Sequence, residues 1–178
     1  MSYKAVYLDR DGVLNKDVGY AFQLEQLTLL PGVKRGLEQL KSKNFKLIVV
    51  TNQSGVARGM FAECDVKKFN EALNQQVGGA IDSFYYCPFH TEAKVDVYRK
   101  DSNDRKPNTG MLERAAKEHD LKKVGSFLIG DKASDVETAK RFGVKSVQIK
   151  SRYDIHKSPD ALVANFTEAV DFILQSDS

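Results

Sequence analysis

Short apolar runs alternate with amphipathic segments along the whole chain, and three of these runs stop at a carboxylate, hydroxyl or amide. Residues 5–8 lead into Asp9, residues 45–50 into Thr51 and Asn52, and residues 127–129 into Gly130 and Asp131. Apolar runs this short and continuous read as strands buried on both faces. Between them, Val33, Leu37 and Leu40, and then Val66, Phe69, Leu73 and Val77, recur at helical spacing. The pattern predicts helices over 33–40, 64–77, 110–119, 134–142 and 167–174, with further strands over 83–87 and 146–149. Strands alternating with helices predict a three-layer α/β architecture around a mainly parallel sheet. Such sheets bind ligands beyond the carboxyl ends of their strands, so Asp9, Thr51, Asn52 and Asp131 are expected to meet in one crevice.

The length of 178 residues suits a single domain over 1–178 with one substantial core. With 42% hydrophobic and 29% charged residues, neither a disordered chain nor a disulfide scaffold is indicated. The net charge of +3 comes from scattered Lys and Arg, and there is no Trp, which speaks against a nucleic-acid footprint. Cys64 and Cys87 read as reduced thiols. The N-terminus runs straight into a strand without a leader pattern, and no apolar run is long enough to span a bilayer. A cytoplasmic protein without a membrane partner is therefore expected, acting as a monomer.

Four motifs carry chemistry. In Asp9-Arg10-Asp11-Gly12 a carboxylate closes a strand, a second lies two residues on, and a glycine permits a sharp turn. A carboxylate can attack phosphorus to form an acyl phosphate, and a neighbouring carboxylate can move the protons. Two anions acting on a third need a cation, and Mg²⁺ takes carboxylate, carbonyl and water ligands. Thr51-Asn52-Gln53-Ser54-Gly55 offers hydroxyl, amide and backbone N–H donors at a strand-to-helix turn, a natural phosphate cradle or equally a helix cap. Arg105-Lys106-Pro107 supplies two cations beside the weakly patterned stretch 88–108, which reads as a surface loop next to the crevice. Gly130-Asp131-Lys132-Ala133-Ser134-Asp135 adds a metal-ligand candidate in Asp131, with Asp135 placed to orient Lys132 or a metal-bound water. Taken singly, each motif also has an ordinary reading as a turn, a cap or a solvated basic pair.

Their order and placement resemble the haloacid dehalogenase superfamily of phosphotransferases over nearly the whole chain. The segments 9–15, 17–20, 51–59, 85–88 and 105–107 look like the D-glycero-D-manno-heptose 1,7-bisphosphate phosphatases, and the related histidinol-phosphate phosphatases share most of them. The resemblance implies a Rossmann-like fold of that superfamily. It also implies a Mg²⁺-dependent phosphomonoester hydrolase working through an aspartyl phosphate on a small phosphorylated substrate, a sugar bisphosphate. By the same resemblance Asp9 is nucleophile and metal ligand. Asp11 is the general acid/base, with its backbone carbonyl on the metal. Asp131 completes the protein ligands, Thr51, Asn52 and Lys106 hold the transferring phosphoryl group, and Arg105 and Arg58 contact the rest of the substrate.

The chain departs from the resemblance in one loop. Most such relatives carry a zinc loop, with Cys-x-His early and Cys-x-Cys just before Arg-Lys-Pro. Here Cys87 survives, but Phe89, Ser102 and Asp104 occupy the other positions and His90 is one place off. One thiolate cannot hold tetrahedral zinc, so this degenerate loop is expected to bind none. The interval 16–50 leaves no room for a cap domain, so an essentially capless, open crevice is expected. The leading reading is a heptose bisphosphate 7-phosphatase, the Gly19-Tyr20 segment favouring it over histidinol-phosphate phosphatase. A DNA 3′-phosphatase shares the fold but lacks support from charge or stacking residues. A non-catalytic binding protein would not need a carboxylate nucleophile beside its phosphate site.

Overall fold

The computed structural model describes residues 2–177. Strands β1 (Ala5–Leu8), β2 (Lys46–Asn52), β3 (Ser83–Cys87), β4 (Phe127–Gly130), β5 (Lys145–Ile149) and β6 (Ala161–Val163) form one sheet in the order β3-β2-β1-β4-β5-β6, every pair parallel. Helices α1 (Val33–Ser42), α2 (Glu63–Gln76), α3 (Gly110–Glu118), α4 (Ala133–Phe142) and α5 (Phe166–Ser176) complete it. Parallel neighbours cannot be joined by tight hairpins, so the connections must cross over a face, and helices do so for most of them.

The period-two geometry of the strands divides the core. Val6 and Leu8 of β1, with Leu47 and Val49 of β2, meet Leu37 and Leu40 of α1, Phe69 and Leu73 of α2, and Val170 and Ile173 of α5. Ala5 and Tyr7, with Ile48 and Val50, face the other way onto Met111, Leu112 and Ala115 of α3 and Ala139 and Phe142 of α4. Both faces of the central strands are thus covered, which is why their sequences are uninterrupted apolar runs.

The expected elements are present, with three differences. Strand β2 continues through Thr51 and Asn52 instead of stopping at Val50, because their backbones pair with Tyr86 and Cys87 of β3. Side-chain polarity marked the wrong boundary, since a parallel ladder is held by backbone groups and is indifferent to what the side chain carries. Strand β6 was not anticipated: three residues at the sheet edge are too short to show a period. The stretch 88–108 carries a short 3₁₀ turn at Asp96–Tyr98 and buries Ala93, Ser102 and Lys106.

The chain reverses direction across the sheet at β1: β2 and β3 lie to one side, β4 to β6 to the other. Such a reversal splays the connecting loops apart and opens a crevice at the carboxyl ends of the strands beside it. Between β1 and β2 the chain holds only loops, a 3₁₀ turn at Leu24–Gln26 and α1.

Gly36 sits in the buried stripe of α1, where glycine weakens a helix. Its reason is contact: a Cβ there would stand 2.8 Å from Phe166 Cε1 and 2.9 Å from Val170 Cγ2 of α5. Gly36→Ala should therefore destabilise the protein by about 1–3 kcal/mol through overpacking, although propensity alone would favour alanine by about 1 kcal/mol. Thermal unfolding should show a lower Tm; a raised Tm would mean that the α1–α5 contact is looser than described.

Candidate active site

Strand β1 delivers Asp9 to the carboxyl edge of the sheet, and its N–H still bonds the Ile129 carbonyl of β4 at 2.9 Å. That bond brings the end of β4, and so Asp131, alongside. Two close approaches complete the junction. Gly12 adopts a left-handed φ of +83°, and a Cβ on it would lie 2.3 Å from Asp131 Oδ2; a Cβ on Gly130 would lie 2.2 Å from Asp135 Cβ. Both motif glycines therefore make room for carboxylates.

Asp9, Asp131 and Asp135 each offer a ligand atom within 4.8 Å of the others, and all three are buried. Lys106 pairs with two of them from within: its Nζ lies 3.1 Å from Asp9 Oδ1 and 2.5 Å from Asp135 Oδ1. Burial favours the neutral amine, but Asp135 and Asp9 outweigh it and hold the ammonium well above its ordinary pKa. Asp9 Oδ1 also accepts from the Arg10 N–H at 2.8 Å, which fixes the carboxylate plane. Asp131 has no such support. Both its carboxylate oxygens are buried without a hydrogen-bond partner, and burial, with the neighbouring Asp9, pushes its pKa up to about 7. Two unsatisfied oxygens beside two further carboxylates fit a hard divalent cation, and the all-oxygen donor set fits Mg²⁺.

Asp11 stands apart from this cluster. Its Oδ1 accepts from Asn15 Nδ2 at 2.9 Å and Arg10 Nε at 3.3 Å, and its Oδ2 from Gln53 Nε2 at 3.0 Å and Arg10 Nη2 at 3.1 Å. Arg10 is fully buried, bonded to Asn70 Oδ1 and the Ala21 carbonyl and stacked 4.4 Å over the Phe69 ring. Gln53 Nε2 also reaches Thr51 Oγ1 at 3.0 Å, so Asp11 and Thr51 share a donor.

A cleft of about 440 Å³ opens above these groups. Asp9, Asp11, Thr51, Asn52, Arg105 and Lys106 line it, joined by Gln53, Lys132 and Tyr153. Three residues differ from their expected places. The Asn52 amide is spent on the Lys106 backbone, with Nδ2 to its carbonyl at 3.1 Å and Oδ1 from its N–H at 3.0 Å, so it locates the lysine. Arg58 does not line the cleft, but it is close enough to help depress the pKa of Arg105, which burial lowers first. Asp135 accepts from the Lys132 backbone N–H, at 3.1 Å, and gives its other oxygen to Lys106, so its hydrogen bonds position the Lys106 ammonium. Lys132 and Tyr153 were not given cleft roles. Lys132 was visible within its motif; nothing in the sequence around Tyr153 signals a site.

The loop after β3 is held by protein groups. Glu63 at the start of α2 accepts from the Tyr86 hydroxyl at 2.6 Å and the Tyr98 hydroxyl at 2.9 Å, and the N–H groups of Lys94 and Val95 both bond the Ala57 carbonyl. Burial pushes the Cys87 thiol up, away from the thiolate a metal would want. Phe89 packs on Tyr98 with ring centroids 5.9 Å apart, and Asp104 pairs with Arg114 at 3.2 Å.

Residues 103–173 match the family model described as "HAD-hyrolase-like". The D-glycero-beta-D-manno-heptose-1,7-bisphosphate 7-phosphatase of Haemophilus ducreyi is 36% identical over 99% of this chain and 95% of its own length. The chain belongs to this family. The enzyme of the same name from Rhodopseudomonas palustris is 43% identical over 79% of each chain. The D,D-heptose 1,7-bisphosphate phosphatase of B. bronchiseptica, a structure complexed with magnesium and phosphate, superposes with a TM-score of 0.83 over 97% of this chain and 99% of its own at 22% identity. The family is one of haloacid dehalogenase-like phosphatases, and the chain is a phosphatase with that fold. Among the described residues, no helix is long and apolar enough to cross a membrane.

The phosphatase fold carries a test of the cation site. A buried acid whose folded pKa stands above its unfolded value destabilises the protein as pH rises from about 4 towards 7, because the unfolded chain ionises first. Metal-free protein should therefore lose stability over that window, and Mg²⁺ should restore it at pH 8. Asp131→Asn should raise the metal-free Tm at pH 8, by roughly 2–4 °C for each ~1 kcal/mol regained, and abolish the Mg²⁺-dependent rise. An unchanged Mg²⁺ response in that variant would remove Asp131 from the site.

Proposed function

We propose that the chain is a Mg²⁺-dependent D-glycero-D-manno-heptose 1,7-bisphosphate 7-phosphatase that works through a phosphoryl group carried on Asp9. The observation that carries the reading is the convergence at one cleft of a held carboxylate, Asp9, with a buried ammonium, and with the unpartnered carboxylate of Asp131 within 4.8 Å of Asp9, in a chain matched almost end to end by an enzyme of that name.

Asp9, Asp131 and the Asp11 carbonyl would hold the Mg²⁺. When bound, that ion neutralises the carboxylates and the incoming phosphate and supplies Lewis-acid charge stabilisation. Asp9 Oδ1 is held by Lys106 and the Arg10 N–H, which leaves Oδ2 free of donors among the described residues and able to attack phosphorus. Lys106 balances charge on the transferring group, and the Thr51 hydroxyl can donate to a phosphoryl oxygen while accepting from Gln53. Asp11, oriented by Arg10, Asn15 and Gln53, gives a proton to the leaving sugar oxygen and later takes one from the attacking water. Arg105 and Lys132 add cations to the cleft wall, suiting a substrate with a second phosphate.

The same reading includes a loop without structural zinc, organised by Glu63 and its two tyrosines, and a monomeric cytoplasmic enzyme. Activity should need Mg²⁺ and survive a zinc-selective chelator, and metal analysis of untagged protein should find no stoichiometric zinc.

Phosphate release should be measured with Mg²⁺ on both anomers of the heptose bisphosphate, on histidinol phosphate, on other sugar phosphates and on a 3′-phosphorylated oligonucleotide. The heptose bisphosphate should have the highest kcat/KM; preference for another member would replace the substrate while keeping the chemistry. Asp9→Asn should abolish turnover in folded protein. Asp11→Asn should slow phosphoenzyme formation about 10²–10⁴-fold on a sugar phosphate and much less on p-nitrophenyl phosphate, whose leaving group needs no proton. Equal rapid-quench rates for wild type and Asp11→Asn on the sugar phosphate would exclude Asp11 as the acid.

A further inference from the structure

The loop between β5 and β6, residues 150–160, contains none of the catalytic motifs, yet its Tyr153 lines the cleft. It is pinned to the site from below: Ser151 Oγ donates to the Asp131 carbonyl at 3.0 Å and accepts from the Tyr153 N–H at 3.1 Å. Tyr153 then spans outward. Its hydroxyl donates to Asp17 Oδ2 at 2.7 Å, and Arg152 Nη2 reaches both that hydroxyl, at 3.0 Å, and Asp17 Oδ2, at 3.3 Å. Asp17 Oδ1 accepts from the Gly19 N–H at 2.7 Å, so the 17–20 segment is gathered onto the same tyrosine. The Lys132 ammonium lies 4.5 Å from the centre of the Tyr153 ring. Asp17, Gly19, Tyr20, Lys132 and Tyr153 all line the cleft.

These contacts solve a positioning problem. A lysine side chain has four rotatable bonds, and freezing them costs entropy each time a ligand is gripped. An aromatic face attracts an ammonium and narrows where it sits before the ligand arrives. The hydroxyl bond to Asp17 in turn fixes the ring, because a tyrosine tethered at its far end cannot swing away.

We propose that Tyr153 is a specificity-determining positioning residue, whose ring seats the Lys132 ammonium and whose hydroxyl ties the 17–20 segment to the β5–β6 loop. Together they shape the cleft for the part of the substrate beyond the reacting phosphate, a hydroxylated chain ending in a second anionic group. This inference rests on the sugar-bisphosphate reading above. It places Tyr153 outside the chemical step: its influence runs through Lys132 and Asp17, so it acts on binding.

The test compares wild type, Tyr153→Phe and Tyr153→Leu on the heptose bisphosphate and on p-nitrophenyl phosphate, after thermal unfolding has shown each variant folded. Tyr153→Leu should raise KM for the bisphosphate about tenfold, the loss expected of one well-placed cation contact. Its kcat should change far less, and the ratio of kcat/KM between the two substrates should fall by a similar factor. Tyr153→Phe keeps the ring and should recover a large part of the loss. A bisphosphate KM within about twofold of wild type, equal losses on both substrates, or a Phe variant no better than Leu would each overturn the proposal. The wild-type preference among substrates tests the underlying reading separately. If it falls on another sugar phosphate, that compound takes the place of the heptose bisphosphate and Tyr153 is tested in the same way.

Discussion

Three carboxylates meet at one end of the sheet with a single buried ammonium among them. Charges removed from water are costly unless paired, and like charges in low dielectric repel strongly. Lys106 relieves Asp9 and Asp135 but leaves Asp131 without a hydrogen bond among the described residues, and the more distant Lys132 ammonium offsets only part of the effect of its burial. The site is thus an arrangement of carboxylates whose charge a divalent cation would balance. The fold tolerates the deficit because two glycines, Gly12 and Gly130, let the carboxylates approach backbone that any side chain would block. A large apolar sheet stands behind them.

The surroundings of this cluster act mainly through orientation. Asn52 holds the backbone of Lys106 from both sides, so a residue in a long irregular loop is as well located as one on a strand. Arg10 does the same for Asp11, its guanidinium wholly buried and its position fixed by α2 and the segment near Ala21. Gln53 joins Asp11 to Thr51, coupling the group that would move protons to the group that would grip phosphate. Catalytic groups held within a few tenths of an ångström by neighbours need little reorganisation when substrate binds. The loop at 88–108 obeys the same logic at larger scale: the Glu63 carboxylate gathers two tyrosine hydroxyls, and the Ala57 carbonyl takes two N–H groups. Four such bonds, with the packing of Phe89 on Tyr98, fix a segment that has little secondary structure of its own.

Much of this was legible in the residues themselves. Buried parallel strands must be apolar on both faces, so β1, β2 and β4 announced themselves as uninterrupted runs, and the polar groups at their ends had to fall at the carboxyl edge. Asp9, Thr51 and Asn52 follow from that logic and line one cleft. The end of β2 and the existence of β6 did not follow, because both depend on which backbone lies alongside.

The sequence by itself determined the strand–helix alternation, the motif carboxylates and the lysine, since periodicity and residue chemistry are local properties. Only the tertiary structure decided their partners. It put Asn52 on the Lys106 backbone and Asp135 on the Lys106 side chain. It left Arg58 out of the cleft lining and drew Tyr153 over 130 residues of chain to Asp17. Hydrogen bonds and ion pairs between distant segments are chosen by the packing of whole elements, and side-chain direction at a loop is fixed by whatever the fold brings within about 3 Å of it.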